Sequence, residues 1–179
     1  MKALFASLAL LAALASPPEA AGAAPIGPNV DIFEKVKEFL PPLIHDALDQ
    51  FTPEGKEAMK KIITEAISRA TNGQPMTGLQ IMDKLQQASP DDYKLVEKAG
   101  LELYKAVAAQ SKPVQEAYAS AMDVFGSGKA IKTPAAMLPF VQKLQSLSES
   151  DRAEFFKLSP STKQFYNSDA FKEILAGSN

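Results

Sequence analysis

Past residue 30, a hydroxyl residue is followed directly by proline at Thr52-Pro53, Ser89-Pro90, Thr133-Pro134 and Ser159-Pro160. This step constrains the fold more than any other feature of the chain. Such a hydroxyl at an N-cap accepts from an orphaned backbone N–H, and proline at the first helical position has no N–H to lose and a φ already suited to a helix. Thr77 and Gln80 add the spacing of a capping box, and Ser89/Asp92 and Ser148/Asp151 repeat it with Asp in the third place. The chain therefore reads as a series of separately started helices. No Val/Ile/Thr-rich run alternates with period two, so no strand is expected.

The apolar residues keep the same period. They fall at Met59, Ile62, Ile63, Ala66, Ile67 and Ala70, then at Leu79, Met82 and Leu85. Next come Tyr93, Val96, Gly100, Leu103 and Val107, and after them Val114, Ala117, Tyr118, Ala121, Met122 and Phe125. Met137, Leu138, Val141, Leu144 and Leu147 form a further stripe. Each set recurs at three and four residues, as one helix face must. A helix from Asn29 stops at Leu40 before Pro41-Pro42 and restarts over Pro42–Phe51. Short helices are expected over Glu149–Leu158, Pro160–Asn167 and Asp169–Ala176, with Gly177 as the stop. The fold class is all-α: a compact single domain over residues 30–179, with about eight to eleven amphipathic helices.

Ahead of that domain, Met1-Lys2 precedes an uncharged run from Ala3 to Ala15 that ends in Ala13-Leu14-Ala15. The run is shorter than the roughly 20 residues of a membrane-spanning helix. Charge, apolar run and small-x-small end make up a secretory signal peptide over residues 1–15. Ala20, Ala21 and Ala23 offer later cuts. A buried N-terminal helix is the competing reading, and Ser16-Pro17-Pro18 argues against it. Residues 16–29, rich in Pro, Ala and Gly, form a flexible lead-in. The expected location is extracellular.

Composition removes several classes of function. Without Lys2 the formal charge moves from −2 to −3, which gives no footprint for nucleic acid. No cysteine is present, so neither a disulfide nor a thiol nucleophile is available. His45 is the one histidine, and a lone imidazole without thiolate partners argues against a metal site. No Gly-x-Ser-x-Gly elbow accompanies it. Gly126-Ser127-Gly128-Lys129 lacks the full spacing of a phosphate loop and follows a helix, so a helix stop explains it. The acidic pair Asp91-Asp92 sits in a first turn, where it favours the helix dipole. The expectation is a chain that is not an enzyme and uses no cofactor. What remains is apolar: 46% of residues are hydrophobic, with six Met and no Trp. Such residues make an ordinary core, or one that closes around an apolar ligand, since Met adapts to shape.

Leu40-Pro41-Pro42 leads into Ala47-Leu48-Asp49-Gln50-Phe51-Thr52-Pro53-Glu54-Gly55-Lys56, followed by Leu79-x-x-Met82-x-x-Leu85 and Ser89-Pro90-Asp91-Asp92-Tyr93. Over residues 32–125 this order resembles the nematode fatty-acid- and retinol-binding proteins. Leu144-x-x-Leu147-Ser148-x-x-Asp151-Arg152 is compatible with the same pattern. The resemblance implies a secreted, non-catalytic, all-helical carrier whose internal apolar cavity takes fatty acids and retinoids, with transient membrane contact during ligand transfer. Burial at about 0.8 kcal/mol per methylene lets a C16 chain contribute on the order of 10 kcal/mol before association costs. The residues expected to line such a cavity are Ile63, Ile67, Leu79, Met82, Tyr93, Val96, Leu103, Val107, Met122, Phe125, Met137 and Phe155. Arg69 and Arg152 are the only arginines that could meet a carboxylate, and Arg69, at the edge of its helix's apolar face, is the better placed. The alternative is a secreted helical interaction or structural protein with a solid core that acts on a protein partner.

Overall fold

The computed structural model describes residues 32–37, 40–74, 76–126 and 134–177. The signal peptide, the lead-in, the Thr133 cap and the 127–129 part of the glycine loop lie outside these residues. The described chain is all-α, and no strand occurs among the described residues. Its helices are α1 (Ile32–Lys37), α2 (Pro42–Asp49), α3 (Pro53–Thr71), α4 (Gly78–Ala88), α5 (Pro90–Ala108) and α6 (Lys112–Gly126). A 3-10 turn at Pro134–Met137 runs into α7 (Leu138–Ser146), followed by α8 (Glu149–Leu158), α9 (Pro160–Tyr166) and α10 (Asp169–Ala176).

The two 19-residue helices, α3 and α5, organise the packing. α2, α4, α6 and α8 all dock on α5, while α1 and α4 pack on α3. α7 rests on α6 and carries α10, and α9 bridges α8 and α10. The inward faces meet in one continuous core that runs from Phe33 through Leu85, Val96 and Leu144 to Phe171. Burial of this surface is the main force that holds short helices together in a chain without disulfides.

Most of the expected faces are the buried ones. Met59, Ile62, Ile63 and Ala66 on α3 are buried, as are Val96, Gly100 and Leu103 on α5 and Val141 and Leu144 on α7. α4 is the exception. Its buried face is Gly78, Ile81, Met82 and Leu85, and Leu79 stands 53% exposed. Both sets satisfy the helical period; the docking of α3 and α5 on α4 selects the one with Ile81.

Thr77 forms the full capping box: its hydroxyl accepts from Gln80 N at 3.3 Å, and Gln80 Oε1 accepts from Thr77 N at 2.9 Å. Thr77→Ala should cost about 1 kcal/mol, read as a lower urea midpoint at an unchanged slope. An unaltered midpoint would show that the box does not hold α4. Thr52 also caps as expected, accepting from Gly55 N at 3.0 Å. Ser89 and Ser159 stand at N-cap positions, yet neither hydroxyl accepts from the backbone. Ser89 donates to Asp92 Oδ2 at 2.6 Å, and Ser159 pairs with Thr162 Oγ1 at 2.8 Å, because the residue three positions on offers a side-chain oxygen. Ser168 caps α10 by accepting from Phe171 N at 3.3 Å.

Two glycines end helices differently. Gly73 has φ +73° and closes α3, with Gln74 N donating to Arg69 O at 2.8 Å in the manner of a Schellman motif. Gly177 caps α10 with φ −69°, so it does not use the left-handed conformation that a glycine stop usually provides.

Candidate functional site

Ile63, Met82, Val96, Leu103 and Phe155 are buried members of the one core, although they come from α3, α4, α5 and α8. Ile67, Tyr93, Val107, Met122 and Met137 are half-buried and pack against the same cluster. Ten of the expected lining residues therefore converge on one apolar interior. Leu79 does not join them, and the side chain of Phe125 lies outside the described residues. Residues that the sequence stripes left out supply much of the interior: Phe33, Met76, Ala99, Val124, Phe140 and Phe171. Tyr93 keeps its hydroxyl at the rim, donating to Glu97 Oε1 at 3.2 Å. Burial first, and the Glu97 carboxylate second, push that phenol above its ordinary range.

Polar residues are scarce in this interior, and the buried ones described, Lys37, Asp92 and Ser159, are each held by a partner. Lys37 donates to Asp49, which raises its pKa against the opposing effect of burial. Glu34 stands 3.0 Å from the same ammonium. Asp92, 1% exposed, is the hub of a network that joins the starts of α3 and α5. Its Oδ1 accepts from Thr52 N at 3.0 Å, and its Oδ2 accepts from Thr52 Oγ1 at 2.8 Å and Ser89 Oγ at 2.6 Å. Burial pushes the Asp92 carboxyl up, but the bonds from Ser89 and from the Thr52 backbone and hydroxyl outweigh it, and the pKa is lowered. This is a structural clasp, and its residues are fully engaged with one another.

The two arginines differ sharply. Arg69 is half-exposed, with Nη1 3.7 Å from Glu65 Oε1, and Lys84 approaches the same Glu65 at 2.9 Å. The residue expected to be the better carboxylate partner is thus matched by an acid of its own helix. Arg152 packs among the C-terminal helices. Its Nη2 donates to Leu147 O at 2.8 Å and Gln145 O at 3.3 Å, at the end of α7. Its guanidinium carbon lies 4.8 Å from the centre of the Tyr166 ring, and its buried Nε has no hydrogen-bond acceptor.

Beside Arg152, Phe156, Tyr166, Phe171 and Phe165 form a chain of ring contacts with centroids 5.6, 4.7 and 5.5 Å apart. A second aromatic set centres on Phe155, 6.1 Å from both Tyr118 and Phe140. Together they fill the C-terminal half of the interior with rings from α6, α7, α8, α9 and α10.

Two features lie at the surface. An open cleft of about 770 Å³ runs between α3 and α4, lined by Pro53, Ala58, Ile62 and Ala88 together with charged groups such as Glu57, Lys61 and Lys84. None of the expected lining residues borders it. On α2, His45 Nδ1 stands 3.3 Å from Asp49 and 3.7 Å from Asp46, the one grouping of potential metal ligands among the described residues. Asp49 already holds Lys37, so a cation there would compete with a built-in ammonium. No helix among the described residues is long and apolar enough to cross a membrane. Comparison with protein-family models, with curated proteins and with solved structures found no match.

Proposed function

We propose that this protein is a secreted, non-catalytic carrier of fatty acids and retinoids, of the kind found in the nematode fatty-acid- and retinol-binding proteins. The observation that supports this reading best is the convergence of ten expected lining residues, from helices spread over the chain, on one apolar interior. Met59, Met76 and Met82 sit in that interior beside Ala66 and Ala99, a mixture of adaptable and small side chains. Such a core reshapes around an acyl chain at low cost. The helices are joined by burial rather than by covalent links, so they can separate to admit a ligand. The exposed Leu101 and Tyr104 on α5 suit brief contact with a lipid surface, one apolar and one interfacial in character.

A fluorescent fatty-acid analogue titrated into the mature protein should shift to the blue and be displaced by oleate and by retinol. Absence of both effects at micromolar protein would sink the carrier reading. It would favour the second reading, a solid-core protein that docks a partner, for which the open cleft between α3 and α4 offers a surface.

A further inference from the structure

We infer that Arg152 anchors the carboxylate of an acyl ligand, with the aromatic chain of Phe156, Tyr166 and Phe171 beside it receiving the first part of the hydrocarbon. The inference rests on the carrier reading and adds to it the ligand's charge and the place of its head group. Four observations carry it. Arg152 is a charged group set against an apolar, aromatic wall, with its guanidinium over Tyr166 at 4.8 Å. Among the described residues no acid forms an ion pair with it; of its neighbours in sequence, Asp151 accepts from Ser111 Oγ at 2.6 Å and Ser148 Oγ at 2.7 Å, and Glu154 holds Lys157 at 2.6 Å. Its Nε–H is buried without an acceptor, a deficit that native proteins seldom leave unless some further group supplies it. Finally, the two carbonyls that it does reach engage only Nη2.

A guanidinium is a planar set of five donors that matches a carboxylate, and it is less strongly hydrated than an ammonium, so it suits a site of this polarity. A ligand that is anionic at one end and apolar over the rest satisfies both parts of the patch at once. A neutral lipid satisfies only one. Because Nε is sealed, the carboxylate reaches it only when α9 shifts or the side chain turns out of its stack on Tyr166. Head-group capture is thereby coupled to opening of the two C-terminal helices.

The test compares oleate, methyl oleate and retinol as competitors of the fluorescent fatty acid, below their aggregation limits, on wild type, Arg152→Gln and Arg152→Lys. Wild type should prefer oleate to its methyl ester by about tenfold or more, as one charge-assisted contact implies. Arg152→Gln should abolish that preference and leave retinol affinity within about twofold, with Arg152→Lys in between. Equal affinity of wild type for oleate and its ester would overturn the inference, and this arm needs no variant to fold. So would a preference retained in folded Arg152→Gln. Failure of all three lipids to bind wild type would remove the carrier reading and the anchor with it, whereas binding without head-group preference removes the anchor alone. As a separate readout, oleate should change amide exchange over residues 159–177 in wild type but not in Arg152→Gln.

Discussion

Gly55→Ala should destabilise the protein by about 2–4 kcal/mol, against the usual sign for this exchange in a helix, where Ala is favoured over Gly by about 1 kcal/mol. Gly55 is in the first turn of α3, and an added Cβ would overlap Asp92 Oδ2 and lie 2.5 Å from its Cγ. Asp92 cannot withdraw without giving up Thr52 and Ser89, so either the clasp breaks or the starts of α3 and α5 move apart. The diagnostic measurement is a double-mutant cycle in urea. In an Asp92→Ala background only the close approach to the residue 92 Cβ, at 3.2 Å, remains, so Gly55→Ala should cost about 1 kcal/mol, which gives a coupling energy of about 1–3 kcal/mol. Additive effects would show that the close approach is unimportant.

The same clasp sets an acid limit. The carboxyl is held below its ordinary value, so its contribution is complete above the unfolded pKa of about 3.9. It is lost as pH falls through the lower folded value. The stability gap between wild type and Asp92→Ala should therefore be full at neutral pH and shrink in acid.

Phe155→Ala should cost about 4 kcal/mol, in the range of large aromatic deletions from packed cores. Phe155 is 1% exposed and touches the rings of both Tyr118 and Phe140, so its removal loosens α6, α7 and α8 together. For a domain of this size the melting temperature should fall by roughly 10 °C. Leu79→Ala, at an exposed position of α4, is the matched control and should stay within about 0.5 kcal/mol. A Phe155→Ala loss as small as that of the control would mean that this part of the interior is not tightly packed.

What could be read in advance was local. Thr52, Thr77 and Ser148 act on groups within three residues, so sequence spacing points to their capping, although the same spacing at Ser89 leads its hydroxyl to Asp92 instead. The stripe of α3 is plain because few large apolar residues compete with it, whereas α5 also carries Leu101 and Tyr104, which stay exposed, and Ala99, which turns inward. On α4, Leu79, Ile81 and Met82 crowd together, and only the neighbouring helices decide which of them turns inward. Asp92 looked like a dipole partner in a first turn. Its burial depends on Thr52, forty residues away, and no local pattern carries that distance. Helix face favours Arg69 over Arg152 as a carboxylate partner, but face says nothing of nearby acids. Arg69 meets Glu65, while Arg152, on α8, meets the Tyr166 ring of α9 and carbonyls at the end of α7.

α9 has seven residues and α10 eight, well under the roughly 12–15 at which an isolated helix becomes marginal in water. Their helicity is borrowed from Phe156, Tyr166 and Phe171, and it vanishes wherever those contacts are released. The last stretch of the described chain therefore depends on those contacts to stay helical, and it should fluctuate as a unit while α3 and α5 stay folded. A molecule arranged in this way has a built-in gradient of rigidity: a stiff frame at one end and, at the other, a flap whose excursions are limited by a few aromatic contacts.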